Sequence, residues 1–390
     1  MPVLRRLTGR NRPAPVAVEL PAGLLEVMRD GPAPLTGLGP QRARADRLRV
    51  AVLVPSFRRG SGGHQTIATL VRGLEARGHR LAVFVVDQQG RHRQDDVPAL
   101  FQEFFGPVAG PVLDGLDAWR GADLAVATGW QTVPEVLRLP DVAARAYLVQ
   151  DHEPEFYATS AERMWAEWTY RQGLHCICAS PWLAEVVTDR YGASATPFDL
   201  GVDHDVYKPL GTVRRDELVL FYARAVTPRR AVPLGVLALA ELHRRRPGVE
   251  IAVFGEAGDL ELPFPARQLG VVASDELAHV YAHATVGLCL SLTNPSLIPT
   301  EMLACGLPVV DVASDAMVAT FGAGGPVTLT EPEPLALANA VEGLLDDLVV
   351  RAERSRDGVE LVAGRTWEAA AGQVEAGLRA AMLGQGCPGH

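Results

Sequence analysis

Short, nearly unbroken apolar runs recur along the chain, and residues at helical spacing fill the gaps between them. The first run, Arg49–Pro55, reads Arg-Val-Ala-Val-Leu-Val-Pro. It does not alternate between apolar and polar positions, which predicts a strand buried on both faces of a parallel sheet. A glycine-rich turn follows, from Ser56 to His64. Next, Ile67, Leu70, Val71 and Leu74 share one helical face, and Gly78 ends that helix. Arg80–Val86 is a second apolar strand. This strand-helix-strand unit opens a Rossmann-like domain. Further strands are predicted at 124–127, 146–149 and 176–178. Ser180 followed by Pro181 marks a helix start.

After Tyr191 and Gly192 the chain turns polar and proline-containing, through Gly201 to Pro209. Then the pattern restarts. Strands are predicted at 218–222, 250–254, 286–290 and 308–310, with a helix at 231–245 and another around Glu301. The stretch 367–382 reads as an amphipathic helix. A chain of 390 residues exceeds what one hydrophobic core of about 250–300 residues serves, so two domains are expected. The predicted division is an N-terminal extension at 1–48, partly flexible, and Rossmann-like domains at 49–209 and 216–365. A helix and short tail at 366–390 would pack back on the first domain. Ligands in such sheets bind beyond the carboxyl ends of the strands, which places a site in the cleft between the two halves.

Composition narrows the chemistry. Lys and Arg total 37 against 46 Asp and Glu, a net charge of −9. This balance argues against a nucleic-acid partner but not against a local basic site. Five cysteines do not make a disulfide framework, so a reducing, cytoplasmic setting is expected. The basic run Arg5, Arg6, Arg10 and Arg12 reads as a loosely ordered tail, or alternatively as a weak attraction to an anionic membrane surface.

Three segments carry candidate chemistry. Gly60, Gly62 and Gly63 lie between a strand and a helix, where backbone amides can approach a phosphate. Arg224 and Arg229 stand five residues apart after the first strand of the second domain. Guanidinium groups there suit a diphosphate, being permanently charged and bidentate. From Ser291 to Thr300 a proline-punctuated loop leads into a helix whose first-turn amides would be free, with Glu301 beside them.

Together these segments resemble the retaining glycosyltransferases of family 4, which have the GT-B fold. The resemblance covers about residues 49–382. It rests on the Gly62-Gly63 turn and the Gly201-Val202-Asp203 to Tyr207-Lys208-Pro209 segment. It rests also on the Arg224/Arg229 pair and on Glu301 followed by Met302 to Val310. The first Glu of the family's Glu-x7-Glu motif falls here at Thr293. The loop Asn294 to Glu301 is similar instead to the WsaF-type rhamnosyltransferase branch, as are Leu148 to Tyr157, Ser180 to Leu183 and Tyr222 to Arg229.

The resemblance implies an α/β GT-B architecture, two Rossmann-like domains facing a central cleft, with the C-terminal helix crossing back. It implies transfer of L-rhamnose or a related deoxysugar from a dTDP-sugar donor to a hydroxyl of a glycan, lipid-linked or glycosylated acceptor, with retention of configuration. No metal or other cofactor is expected. The donor site would comprise Gly62, Gly63, Tyr222, Arg224, Arg229, Gly255, Ser296, Leu297 and Glu301. Asp151, Arg224 and Arg229 are the catalytic candidates. His64, His152, Glu153 and Trp130 are acceptor-side candidates, and Gln131 a weaker one. Trp165, Trp168 and Tyr170 read as packing residues rather than a sugar-stacking platform. A GT-B epimerase and a non-catalytic sugar-nucleotide binder are the alternatives.

Overall fold

The computed structural model describes residues 21–384 apart from positions 22, 89 and 213. Strands β1 (Arg49–Pro55), β2 (Arg80–Val86), β3 (Val112–Asp114), β4 (Ala122–Ala127), β5 (Val142–Val149), β6 (His175–Cys178) and β7 (Ala195–Pro197) form the first sheet. Its order is β3-β2-β1-β4-β5-β6-β7, and every pairing in it is parallel. Strands β8 (Leu218–Tyr222), β9 (Glu250–Phe254), β10 (Arg267–Gln268), β11 (Val286–Leu288), β12 (Val309–Val312) and β13 (Thr328–Thr330) form the second, also parallel. Its order is β10-β9-β8-β11-β12-β13.

The unbroken apolar runs are explained by burial on both faces. In β1, Val50, Val52 and Val54 face one core, while Ala51 and Leu53 face another. The first core holds the helix Gly62–Ala76, through Ile67, Leu70, Val71 and Leu74. It also holds the C-terminal helix Trp367–Gly384, whose Ala370, Val374, Leu378 and Met382 pack into the first domain. That helix is thus built from the end of the chain but belongs to the core at its start. Arg77 and Glu375 pair across the same junction.

The chain crosses between domains twice, and the two crossings run side by side. Val202 N–H donates to the Arg365 carbonyl at 2.9 Å, and Val202 bridges to Thr366. The approach is so close that a Cβ on Gly201 would stand 2.5 Å from the Trp367 nitrogen. Only glycine fits there. Asp203, in the following turn, accepts the N–H groups of Val206 and Tyr207 on its carbonyl.

The sequence-based division needs one correction. From residue 23 onward the expected flexible extension is part of the first domain. Leu24, Val27 and Leu48 are buried, and Arg42 grips Asp123 with two bonds of 2.9 and 2.7 Å. The buried Arg145 donates to the Ala33 carbonyl. Short elements without strong periodicity do this work, which is why the pattern did not reveal them. Arg5, Arg6, Arg10 and Arg12 lie outside the described residues.

Replacing Gly201 with Ala should lower stability by about 1–3 kcal/mol, the usual cost of overpacking. Thermal unfolding checks this; an unchanged midpoint would mean the crossings separate freely.

Candidate functional site

In each sheet the strand order reverses at one point, between β1 and β4 in the first and between β8 and β11 in the second. Loops diverge at such a point and leave a crevice at the carboxyl ends of the strands. The two crevices face each other and merge into one cleft of about 630 Å³. Among the sequence-predicted residues its walls carry Gly62, Gly63, His64, Gln131, Asp151, Glu153, Tyr222, Arg224, Arg229, Gly255, Ser296, Leu297 and Glu301.

The second domain supplies the cationic wall. Tyr222 ends β8, and its ring lies over Gly255, where a Cβ would stand 2.6 Å away and φ is +99°. Gly255 is therefore required twice, for backbone and for space. Ser296 caps the helix Leu297–Ala304, its hydroxyl accepting from Ile298 N–H. Glu301 sits one turn in, with the Tyr281 hydroxyl 3.5 Å from its Oε2. Burial pushes its pKa up to about 7, opposed by hydrogen bonds from Tyr281 and Tyr207. Behind this wall Asp311 is fully buried. Its Oδ1 accepts the N–H groups of Ser291 and Val312 at 2.8 and 2.7 Å. Burial raises its pKa to about 7 as well.

The first domain supplies a more neutral wall. His64 lies between the Ser61 hydroxyl at 2.8 Å and the Pro55 carbonyl at 3.2 Å, stacked on Phe105. Burial lowers its pKa to about 4, so the ring is neutral near pH 7. Glu153 accepts from Trp130 N–H and from the Tyr147 hydroxyl, both at 2.8 Å. Its pKa is raised to about 7, burial again being the main cause.

Asp151 joins the two walls. It is buried at the end of β5, yet most of its partners come from the other domain. Its Oδ1 accepts from Asn294 N–H at 3.0 Å and from His152 N–H at 2.9 Å. Its Oδ2 accepts from the Thr293 hydroxyl at 3.0 Å. Arg229 Nε lies 3.0 Å from the same oxygen as an ion pair, and the Arg229 guanidinium also stacks over Phe156, 4.0 Å from the ring centre. Asn294 completes the contact, donating to the Gln150 and Ala179 carbonyls and accepting from the Ser180 hydroxyl. Thus a carboxylate does reach the Thr293 position, from across the cleft.

This geometry corrects several expectations. Asp151 is a catalytic candidate in the sequence, but both its oxygens are taken, so it acts as a fastener between domains. Arg229, expected to face a diphosphate, does line the cleft, with its Nε on Asp151 and its guanidinium stacked on Phe156. His152 turns away from the cleft: its Nε2 lies 2.7 Å from the Tyr191 hydroxyl and its Nδ1 3.0 Å from Glu155. Trp130 is buried, with its indole N–H on the Tyr157 hydroxyl; only its neighbours Gly129 and Gln131 line the cleft. The ring of Tyr170 is fully packed between Tyr147 and Tyr191, as expected of a packing residue. Sequence reasoning passed over Phe156 and Arg230, which both line the cleft. The doubled arginine at 229 and 230 was the available signal. Among the described residues no group of three or more His, Cys, Asp or Glu side chains is gathered as a metal site would need.

Comparison with known proteins fits this architecture. Residues 217–340 match the family described as WsaF, C-terminal domain. Over 361 residues the chain is 30% identical to the O-antigen biosynthesis protein RfbC of Myxococcus xanthus, covering 89% of this chain and 28% of that protein. It is 27% identical over 242 residues to a D-inositol 3-phosphate glycosyltransferase of Segniliparus rotundus, covering 51% of this chain and 50% of that one. The chain therefore spans less than a third of the first relative and half of the second. Among solved structures, HepE of Anabaena in complex with UDP superposes with a TM-score of 0.65 at 16% identity, covering 85% of this chain and 100% of that one. Sucrose-phosphate synthase of Thermosynechococcus elongatus gives 0.64 at 18%, covering 84% and 97%. The expected two-domain GT-B fold is present.

Asp151→Ala should leave the buried donors of Asn294 and Thr293 without an acceptor, at a cost of about 1–3 kcal/mol, and loosen the domain junction. Small-angle scattering should then show a larger radius of gyration, whereas an unchanged radius and melting point would contradict the fastener. Asp311 gives a pH test. An acid whose folded pKa is raised binds its proton more tightly when folded, so its contribution is present at low pH and lost as pH rises from about 4 to about 7. The stability advantage of the wild type over Asp311→Asn should therefore shrink across that window. Denaturant unfolding at a series of pH values reads it, and a pH-independent difference would refute it.

Proposed function

We propose that this chain, WsaF-like in its C-terminal domain and GT-B in fold, is a glycosyltransferase that takes a sugar from a nucleoside-diphosphate donor. The observation that carries the reading is the cleft at the two switch points, with guanidinium groups, a helix start and Glu301 gathered on the second-domain wall. In this reading the diphosphate lies against Arg224 and the start of the helix Leu297–Ala304, and Glu301 accepts hydrogen bonds from the ribose hydroxyls. The cations stabilise the diphosphate most as it leaves and gains charge. They do the work that a metal does in other sugar transferases, so the reading needs no resident metal.

The donor sugar we propose is L-rhamnose or a related deoxysugar carried on dTDP, supported by the likeness to the WsaF C-terminal domain. The acceptor is a hydroxyl of a growing glycan, supported by the likeness to an O-antigen biosynthesis protein. The first-domain wall of His64, Gln131 and Glu153 receives it. Transfer proceeds with retention: the hydroxyl attacks from the face that the diphosphate leaves, and its proton passes to the departing phosphate oxygen. Asp151, with both oxygens bonded, is not available as the base, which favours this route. We place the reaction in the cytoplasm. No helix among the described residues is long and apolar enough to cross a membrane.

Thermal shift with dTDP-, UDP- and GDP-sugars tests the donor. A ligand at 100 times its Kd should add about 2.7 kcal/mol of stability, and dTDP-rhamnose should stand out. Stabilisation by none of the three classes would sink the transferase reading. Donor consumed with no acceptor present would favour an epimerase, and binding without any turnover a non-catalytic binder. The anomeric configuration of the product, read by NMR, should match that of the donor.

A further inference from the structure

Three arginines, Arg224, Arg229 and Arg230, reach the cleft from the loop after β8, and their circumstances differ. Arg229 is already paired, with Asp151 and with the ring of Phe156. Arg224 has no side-chain hydrogen bond or ion pair among the described residues. Arg230 is the most buried of the three, only 5% exposed. It has a single, long hydrogen bond, from Nη1 to the Ser291 hydroxyl at 3.3 Å. Among the described residues no carboxylate lies within ion-pair distance of it. Asp311, behind it, feels the charge of Arg230 without forming an ion pair: it spends Oδ1 on two backbone N–H groups and leaves Oδ2 without a hydrogen bond.

A buried guanidinium with no ion pair and one long hydrogen bond is costly, since most of its hydration is lost and little replaces it. The surrounding structure nevertheless holds Arg230 firmly. It closes the short helical turn Pro228–Arg230, and Ala231, in the left-handed region at φ +43°, swings the chain into the helix Val232–Arg245. A non-glycine residue in that region is strained. The side chain is thereby directed to the cleft wall beside Tyr222. The charges of Arg230, Arg224 and Arg229 all act on the Tyr222 phenol, that of Arg230 most strongly.

We propose that Arg230, rather than Arg229, joins Arg224 in binding the donor diphosphate, and that Arg229 serves the domain junction. The inference rests on the nucleotide-sugar reading above and assigns within it a ligand that the five-residue spacing does not indicate. Two cleft-lining guanidinium groups that form no ion pair among the described residues match the two charges of a bridging diphosphate. The planar fork of Arg230 would take two phosphate oxygens.

The test is calorimetric titration of the full chain with dTDP and with thymidine, which lacks the diphosphate. Arg230→Gln should weaken dTDP by about 10- to 100-fold, as loss of a charged hydrogen-bonding partner does, and leave thymidine unchanged. Arg230→Lys keeps the charge but not the fork; it should lose affinity several-fold, and it keeps the test alive if the Gln variant misfolds. Arg229→Gln should weaken dTDP less than either and lower the melting point through the junction. Full dTDP affinity in both Arg230 variants, or a larger loss in Arg229→Gln, would overturn the assignment. Failure of the wild type to bind dTDP, UDP or GDP would instead sink the nucleotide-sugar reading itself.

Discussion

The carboxylate of Asp151 is a buried charge at the meeting of two domains, and a buried charge must be matched. Its own domain gives it one backbone N–H, from His152. The other domain gives it Thr293, Asn294 and Arg229. The cleft therefore has the shape described only while the domains are together. The loop after β11 cannot leave without stripping Asp151 of the donors Thr293 and Asn294, and Asn294 would lose the Gln150 and Ala179 carbonyls at the same time. At the opposite end, the paired crossings at Gly201 and Trp367 fix the distance at which the domains meet. Between them these two contacts tie together the two walls of the cleft.

This constraint also sorts the cations. Arg229 lines the cleft but gives its Nε to Asp151, so of the two arginines five residues apart only Arg224 is without an ion pair among the described residues. Arg230, one residue on and without an ion pair among the described residues, is left to face the cleft. An acidic protein of net charge −9 thus keeps a small group of arginines on its cleft, two of which form no ion pair among the described residues.

Much of this was legible in the sequence. The apolar runs located β1, β2, β8 and β9 to the residue, because strands buried on both faces leave an unmistakable composition. The restart of the pattern after Pro209 located the second domain. Edge strands did not show: β3, β7, β10 and β13 are two or three residues long and carry no periodicity. Neither did the packing of residues 23–48, which depends on single contacts such as Arg42 with Asp123. Within the site, motif spacing found the loops but not the direction of side chains. His152 and Trp130 neighbour cleft residues and point elsewhere, since alternate positions in a turn face opposite ways. Asp151 lay in the right place with the wrong role, because its partners are more than 70 residues distant in sequence and belong to another domain.

The account stands on a nucleoside diphosphate seated between the domains, and a crystal structure of the chain with dTDP observes that directly. The diphosphate should lie within about 3 Å of the guanidinium groups of Arg224 and Arg230, beside the start of the helix Leu297–Ala304, with Arg229 still on Asp151. A nucleotide bound elsewhere, or a diphosphate that displaces Asp151 from Arg229 and leaves Arg230 untouched, would contradict it.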